Sequence, residues 1–290
     1  MESPLPKVAF ELIHPETRNT SVVFASPHSG RDYPASFLRR TVLNEYSIRS
    51  SEDAFVDRLF DCAPRFGAPL LLAGAPRAFI DLNRSADELD PALIEGVRSG
   101  GHNPRIASGL GIIPRVVANG RAIYNGKIPR EEADRRISIY WLPYHTALQK
   151  LLSDSYTRFG EAILIDCHSM PHEAVDSVVR PGVPRPDIVL GDRFGAAAGA
   201  DIVEQIETAF LEAGFRVSRN APFAGAYTAQ HYGRPSRRQH AIQIEIDRSL
   251  YMNEQMIRPN NNFNAFRTVL RDIIARIADI GAREAKLAAE

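Results

Sequence analysis

The sequence predicts an α/β protein built on a mostly parallel sheet, and three observations carry that expectation. Ile163-Leu164-Ile165 is a run of branched aliphatics, the pattern of a strand buried on both faces. Further short apolar runs at 21–26, 70–73, 187–192 and 215–217 alternate with helical patterns. Residues 240–247 alternate, Ala241 excepted, with Ile242, Ile244 and Ile246 on one face and Gln243, Glu245 and Asp247 on the other.

The strand ends are where the chemistry collects. The central run passes into Asp166-Cys167-His168-Ser169 and is stopped by Pro171. Asp166 and His168, two apart, project to one face while the chain stays extended, and ligands in open α/β sheets sit at strand carboxyl ends. The strand at 21–26 likewise runs into Pro27-His28-Ser29-Gly30, where Gly30 is expected to let the backbone turn so that His28 faces inward. A histidine held by loop hydrogen bonds is the plainer reading of either junction alone. Two such junctions argue for a site.

The remaining elements follow in order. Ser50 followed by Asp53 reads as the start of a helix, with Phe55, Leu59 and Cys62 as its buried face and Pro64 and Gly67 as its end. Asp53 is then a first-turn acid that complements the helix dipole, or a ligand. Residues 77–84 read as a second extended piece ending in Asn83-Arg84, whose guanidinium either forks to a substrate carboxylate or pairs with Asp81 or Asp87. Residues 85–128 are rich in Gly, Pro and Asn yet keep apolar positions, which suggests long loops covering a site, with Arg115 as a second anion contact and His102 exposed. A helical stretch from 129 to about 159 is interrupted at Pro143; Tyr140, Trp141, Tyr144, Leu148, Leu151 and Leu152 form its core stripe and His145 falls on its polar face. Helices at 200–213 and 262–283 flank a second loop at 219–238, which contains Tyr227 and His231 as candidates for substrate contact or for packing.

Composition sets the outer bounds. The 290 residues allow one large core, and the whole chain, 1–290, is read as a single domain. Thirty-five basic residues balance thirty-five acidic ones, so no global field favours nucleic acid or an anionic membrane. Two cysteines, no signal-peptide pattern and no long apolar run give the expectation of a soluble, reducing, cytoplasmic protein.

Two imidazoles and a carboxylate form a common set for catalytic zinc, and a further carboxylate beside the metal's water serves as general base. No local zinc signature is present: His-Glu-x-x-His is absent, and Arg31 stands three residues after His28. Spacing alone does not choose among Asp53, Asp166 and Glu245 as the acidic ligand.

Six segments in order, Pro27-His28-Ser29-Gly30, Ser51-Glu52-Asp53 with Asp57-Arg58-Leu59, Asp81-Leu82-Asn83-Arg84, Gly109-Leu110-Gly111 with Pro114-Arg115, Asp166-Cys167-His168-Ser169, and Gln243-Ile244-Glu245 with Leu250-Tyr251-Met252, resemble the N-formylglutamate amidohydrolase family. That family is related to the zinc carboxypeptidases and aspartoacylases, so the resemblance implies a three-layer α/β/α fold with a mixed, mostly parallel central sheet. It implies that His28, Asp53 and His168 bind one zinc ion, that Glu245 is base and proton shuttle, and that Asp166 orients a ligand imidazole. Asn83 and Arg84 become substrate contacts, joined by Arg115 and Tyr227, with Arg77 near the oxyanion. The family's carboxypeptidase relatives place the acidic ligand three residues after the first histidine, whereas Asp53 lies 25 residues after His28. The implied activity is hydrolysis of N-formyl-L-glutamate to L-glutamate and formate. A deacylase or carboxypeptidase-like hydrolase of another N-acyl amino acid, and a non-catalytic metal-binding scaffold, are the alternatives. The expected partner is a small anionic substrate, with neither nucleic acid nor membrane.

Overall fold

In the computed structural model, residues 8–98, 103–117, 120–176 and 185–287 are described; His102 lies outside them. Seven strands form one mixed sheet: β1 (Phe10–Ile13), β2 (Val22–Ser26), β3 (Leu70–Ala73), β4 (Ala162–Met170), β5 (Ile188–Gly191), β6 (Val217–Arg219) and β7 (Gln239–Asp247). Their order is β1-β3-β2-β4-β7-β5-β6. β2 pairs parallel with β4, β4 with β7 and β5 with β6, while β5 runs antiparallel to β7. The expected α/β class with a mixed, mostly parallel sheet is what the chain adopts.

β4 is the longest strand together with β7, and all nine of its residues are buried. Ile163, Leu164 and Ile165 have no exposed surface; burial of each contributes roughly 1.5–3 kcal/mol relative to exposure. The strand runs through its polar residues and ends at Met170, just before Pro171, as the sequence pattern suggested. It carries Asp166 and His168 within the ladder, opposite Gln243 and Glu245 of β7. In-register parallel pairing therefore sets the two polar rows side by side at the carboxyl ends of these strands.

The chain divides into two compact units. One comprises residues 1–11, 27–52 and 72–147; the other comprises 12–26, 53–71 and 148–290. In the second unit the C-terminal helix Phe263–Leu287 packs on β2 and on the helix Ala200–Glu212. Phe266, Leu270, Ile273, Ile277 and Ile280 are buried along it, as its periodicity predicts. Gly214 follows the helix at 200–212 with φ 89°, the left-handed conformation that ends it.

Several local expectations are corrected. Residues 77–84 form consecutive turns and no strand, because the Asp81 carboxylate accepts from the Asn83 amide at 2.8 Å and bends the chain locally. The helix after Ser50 is confined to Val56–Leu59; Phe55 precedes it at φ 70°, and Asp53 lies outside it in a turn. The 219–238 loop contains the helix Tyr227–Tyr232. Between the helices Arg130–Arg136 and Leu142–Phe159 the interruption is a π turn at Ile137–Trp141, just ahead of Pro143, whose ring a regular α turn would not accommodate. His145 is buried and bonds through Nε2 to the Leu82 carbonyl at 2.9 Å, so it belongs to the interior and not to a polar face.

The first unit is organised around a buried arginine. Arg136 donates from Nε and Nη2 to Glu132 Oε1 at 3.0 and 2.6 Å, and from Nη1 to the Phe79 carbonyl and the Tyr124 hydroxyl. Its guanidinium carbon lies 3.9 Å from the centre of the Phe79 ring. Burial pushes the Glu132 carboxyl up, but Arg136, Arg135 and Arg40 outweigh it and hold the group below its usual value. Arg136→Ala is expected to lower stability by about 3–5 kcal/mol in urea titrations. The Glu132 contribution is present above its unfolded pKa of about 4.3 and is lost as pH falls through the lower folded value, so Glu132→Gln should flatten that part of the acid limb.

Candidate metal centre

His28 follows β2 by two residues and is 2 % exposed. Its Nε2 lies 2.7 Å from Asp81 Oδ1. Asp81 is held in turn by Arg77 Nε at 3.1 Å and faces Arg84 Nε at 4.0 Å. Burial raises the Asp81 carboxyl pKa, but His28, Arg77 and Arg84 override it and hold the group well below the usual range. Gly30 supports the loop by close packing, not by the sharp turn expected of it: a Cβ there would lie 2.1 Å from the Ala75 carbonyl oxygen.

His168 is held on both ring nitrogens. Nδ1 lies 2.9 Å from Asp53 Oδ2 and Nε2 lies 3.1 Å from Asp166 Oδ2. The expectation that Asp166 and His168 share one face of the strand is met by this contact. Asp53 itself is 1 % exposed, and its Oδ1 accepts from Arg248 Nη2 at 3.0 Å. Burial alone would lower the His168 pKa, yet Asp166, Asp53 and Glu245 surround it and hold it well above the ordinary imidazole value. So dense a set of carboxylates about one imidazole favours a cation. Cys167, between the two polar residues, is pushed up by burial and by Asp166, so its thiol is a packing group and not a nucleophile.

One ligand atom from each of His28, Asp53 and His168 lies within 4.8 Å of the other two. Among the described residues, this is a His-Asp-His group of the kind that holds a divalent ion. The chemistry of the donors fits: each imidazole has a carboxylate on its far nitrogen, the arrangement that fixes the tautomer of a metal-bound histidine.

The family model for N-formylglutamate amidohydrolases matches residues 20–252. This chain belongs to the N-formylglutamate amidohydrolase family. It is 30 % identical over 244 residues to the N-formylglutamate deformylase of Pseudomonas aeruginosa, covering 81 % of this chain and 83 % of the relative. The corresponding figures for the deformylase of Pseudomonas putida are 29 % over 242 residues, 80 % and 82 %. A crystal structure of N-formylglutamate amidohydrolase from Ralstonia eutropha superposes with a TM-score of 0.88 at 37 % identity, covering 94 % of this chain and 98 % of that one. The Atu2144 gene product of Agrobacterium tumefaciens shares the fold, with a TM-score of 0.61 at 17 % identity and coverages of 95 % and 96 %. As a member of this amidohydrolase family the chain is an enzyme.

The other residues singled out in this family member fall into two sets. Glu245 stands opposite His168 in the β4–β7 register, and Gln243 Nε2 donates to its Oε1 at 2.7 Å. Gln243 Oε1 accepts from the Ala226 amide at 3.1 Å, next to Tyr227, whose ring stacks on His231 at 5.0 Å. In the other unit, Arg84 is 6 % exposed and donates from Nε to the Leu110 carbonyl at 2.9 Å. Arg115 pairs with Asp90 at 2.8 Å. Trp141 Nε1 donates to the Arg84 carbonyl at 2.8 Å, so Trp141 and His145 together pin the Leu82–Arg84 turn from beneath. Trp141 was expected in the core stripe of its helix and His145 on the polar face; no pattern in the sequence pairs them with a turn some 60 residues earlier. Gln243 had a signal, since it shares the polar row with Glu245, whereas Arg248 had none.

Asp81→Asn is expected to weaken divalent-metal binding by about 10–100-fold, because it removes the carboxylate that fixes the His28 ring. Competition with a chromogenic chelator measures this, and an unchanged affinity would separate Asp81 from the metal centre.

Proposed function

We propose that the chain hydrolyses the amide bond of an N-acylated acidic amino acid in a zinc-dependent reaction, with N-formyl-L-glutamate and water giving L-glutamate and formate. The observation that carries this reading is the convergence of His28, Asp53 and His168 in a member of this family, with Glu245 register-paired to His168. The deformylases of the two Pseudomonas species, named for this substrate, support the choice of acyl group.

The three donors are the set used by catalytic zinc, and His28, Asp53 and His168 would hold the ion. When bound, zinc supplies Lewis acidity that polarises the amide carbonyl and acidifies water toward a pKa of about 7. Glu245 then takes a proton from the attacking water on its carboxylate and returns it to the leaving amine nitrogen. Gln243 Nε2 donates to Glu245 Oε1 and so orients the carboxylate for this transfer. Asp166 holds the ring of His168 and Asp81 that of His28.

A dianionic substrate requires fixed cations and N–H donors. Arg84 and Arg115 are assigned to its carboxylates with Asn83, Arg77 to the developing oxyanion and Tyr227 to the substrate's flank. The described bonds of Arg84 use Nε and Nη1, and the assignment gives its Nη2 to the substrate. The loops at 85–128 and 219–238 then set the size of the acyl group. No helix among the described residues is long and apolar enough to cross a membrane.

Metal analysis with a substrate panel tests the reading. Zinc at one per chain, with turnover of N-formyl-L-glutamate well above N-acetyl-L-glutamate and N-formimino-L-glutamate, is expected. Preference for another acyl group would replace the substrate, and metal without turnover would leave a binding scaffold. Glu245→Gln should retain the metal while kcat falls by about 10²–10⁴-fold; near-normal turnover in that variant would remove Glu245 from the mechanism.

A further inference from the structure

Asp53 and His168 reach each other from segments 115 residues apart, one a turn and the other a strand. A single guanidinium touches both segments. Arg248, 5 % exposed, donates from Nη2 to Asp53 Oδ1 at 3.0 Å and from Nε to Ser169 Oγ at 3.2 Å. Ser169 is the residue after His168, and its carbonyl oxygen lies 3.5 Å from the same Nη2. On its remaining side, Arg248 Nη1 stands 3.8 Å from Glu254 Oε2, a third anchor that limits its rotation.

The two oxygens of Asp53 are thereby divided. Oδ1 belongs to Arg248, and Oδ2 is turned to His168 Nδ1 and the ligand cluster. We propose that Arg248 is the positioning residue of the metal centre, fixing Asp53 as a one-oxygen ligand and fastening its turn to β4. The proposal rests on the reading of His28, Asp53 and His168 as metal ligands.

Three physical consequences follow from the geometry. A buried carboxylate opposed by a guanidinium is compensated before any cation arrives, so the site is formed in the metal-free chain and does not have to assemble around the ion. An oxygen already committed to a charge-assisted hydrogen bond is withheld from the metal, which prevents two-oxygen binding by Asp53 and leaves coordination positions for water and substrate. The fork of donors is essential: Nε and Nη2 reach two different residues, and the compact ammonium of lysine offers no equivalent pair.

The test uses the full chain and two variants, Arg248→Lys, which keeps the charge, and Arg248→Met, which keeps the bulk. Zinc affinity is read by chelator competition, and ligand geometry by the visible absorption of the cobalt-substituted protein. Arg248→Lys is expected to bind zinc about 10–100-fold more weakly. Its cobalt bands should lose intensity as Asp53 takes the ion with both oxygens and the coordination number rises. Arg248→Met should lose more affinity; should it fail to fold, the lysine variant carries the test. Wild-type affinity together with a wild-type cobalt spectrum in Arg248→Lys would overturn the proposal and leave the metal reading standing. A wild-type chain that binds neither ion would instead overturn the metal reading itself, and the role of Arg248 with it.

Discussion

Three buried carboxylates in this protein share their two oxygens between an imidazole and a second donor. Asp53 divides its oxygens between His168 and Arg248, and Asp81 between His28 and Arg77. Asp247, at the end of β7, divides its own between His172 and the Ser249 amide. An isolated carboxylate in such surroundings would take up a proton and cease to be an anion. The shared contacts hold the Asp81 carboxyl well below its usual range, and in all three cases the same contact fixes the ring of a histidine. The electrostatic requirement of the core and the geometric requirement of a metal centre are met by one set of bonds.

The sheet gives that set its place. β2, β4 and β7 run parallel, so their carboxyl ends lie at one edge, and the β4–β7 register sets His168 beside Glu245 and Asp166 beside Gln243. A register slip of one residue would turn every polar side chain of β7 to the other face and bring the isoleucines into their place. Ile242, Ile244 and Ile246, all fully buried, oppose such a slip through the apolar surface they would lose. The hydrophobic face of β7 thereby holds its polar row in position.

A different means fixes the residues outside the strands. The Asp81–Arg84 segment has no ladder to hold it, and it is shaped by the Asp81 carboxylate, by the His145 and Trp141 bonds to its carbonyls and by the reach of Arg84 to Leu110. Arg77 and Arg84 both face the buried Asp81, the structural pairing that the sequence offered for Arg84. The family match, residues 20–252, runs through both compact units and includes His28, Asp53, His168, Glu245 and Arg248.

What the sequence determined by itself was periodic or terminal. Branched aliphatic runs gave the buried strands, alternation gave the two faces of β7, and apolar spacing gave the C-terminal helix, because burial repeats with the period of the backbone. The candidate residues His28, Asp53, His168 and Glu245 were legible through ordered short motifs. Tertiary structure alone decided their company: Arg248 on Asp53 across 195 residues, Asp81 on His28 across 53, Trp141 and His145 beneath the Asn83 turn. It also moved Asp53 out of a helix and His145 into the interior. A hydrogen bond between distant segments leaves no repeat in the chain, since nothing about either residue's neighbours records which partner the fold will bring to it.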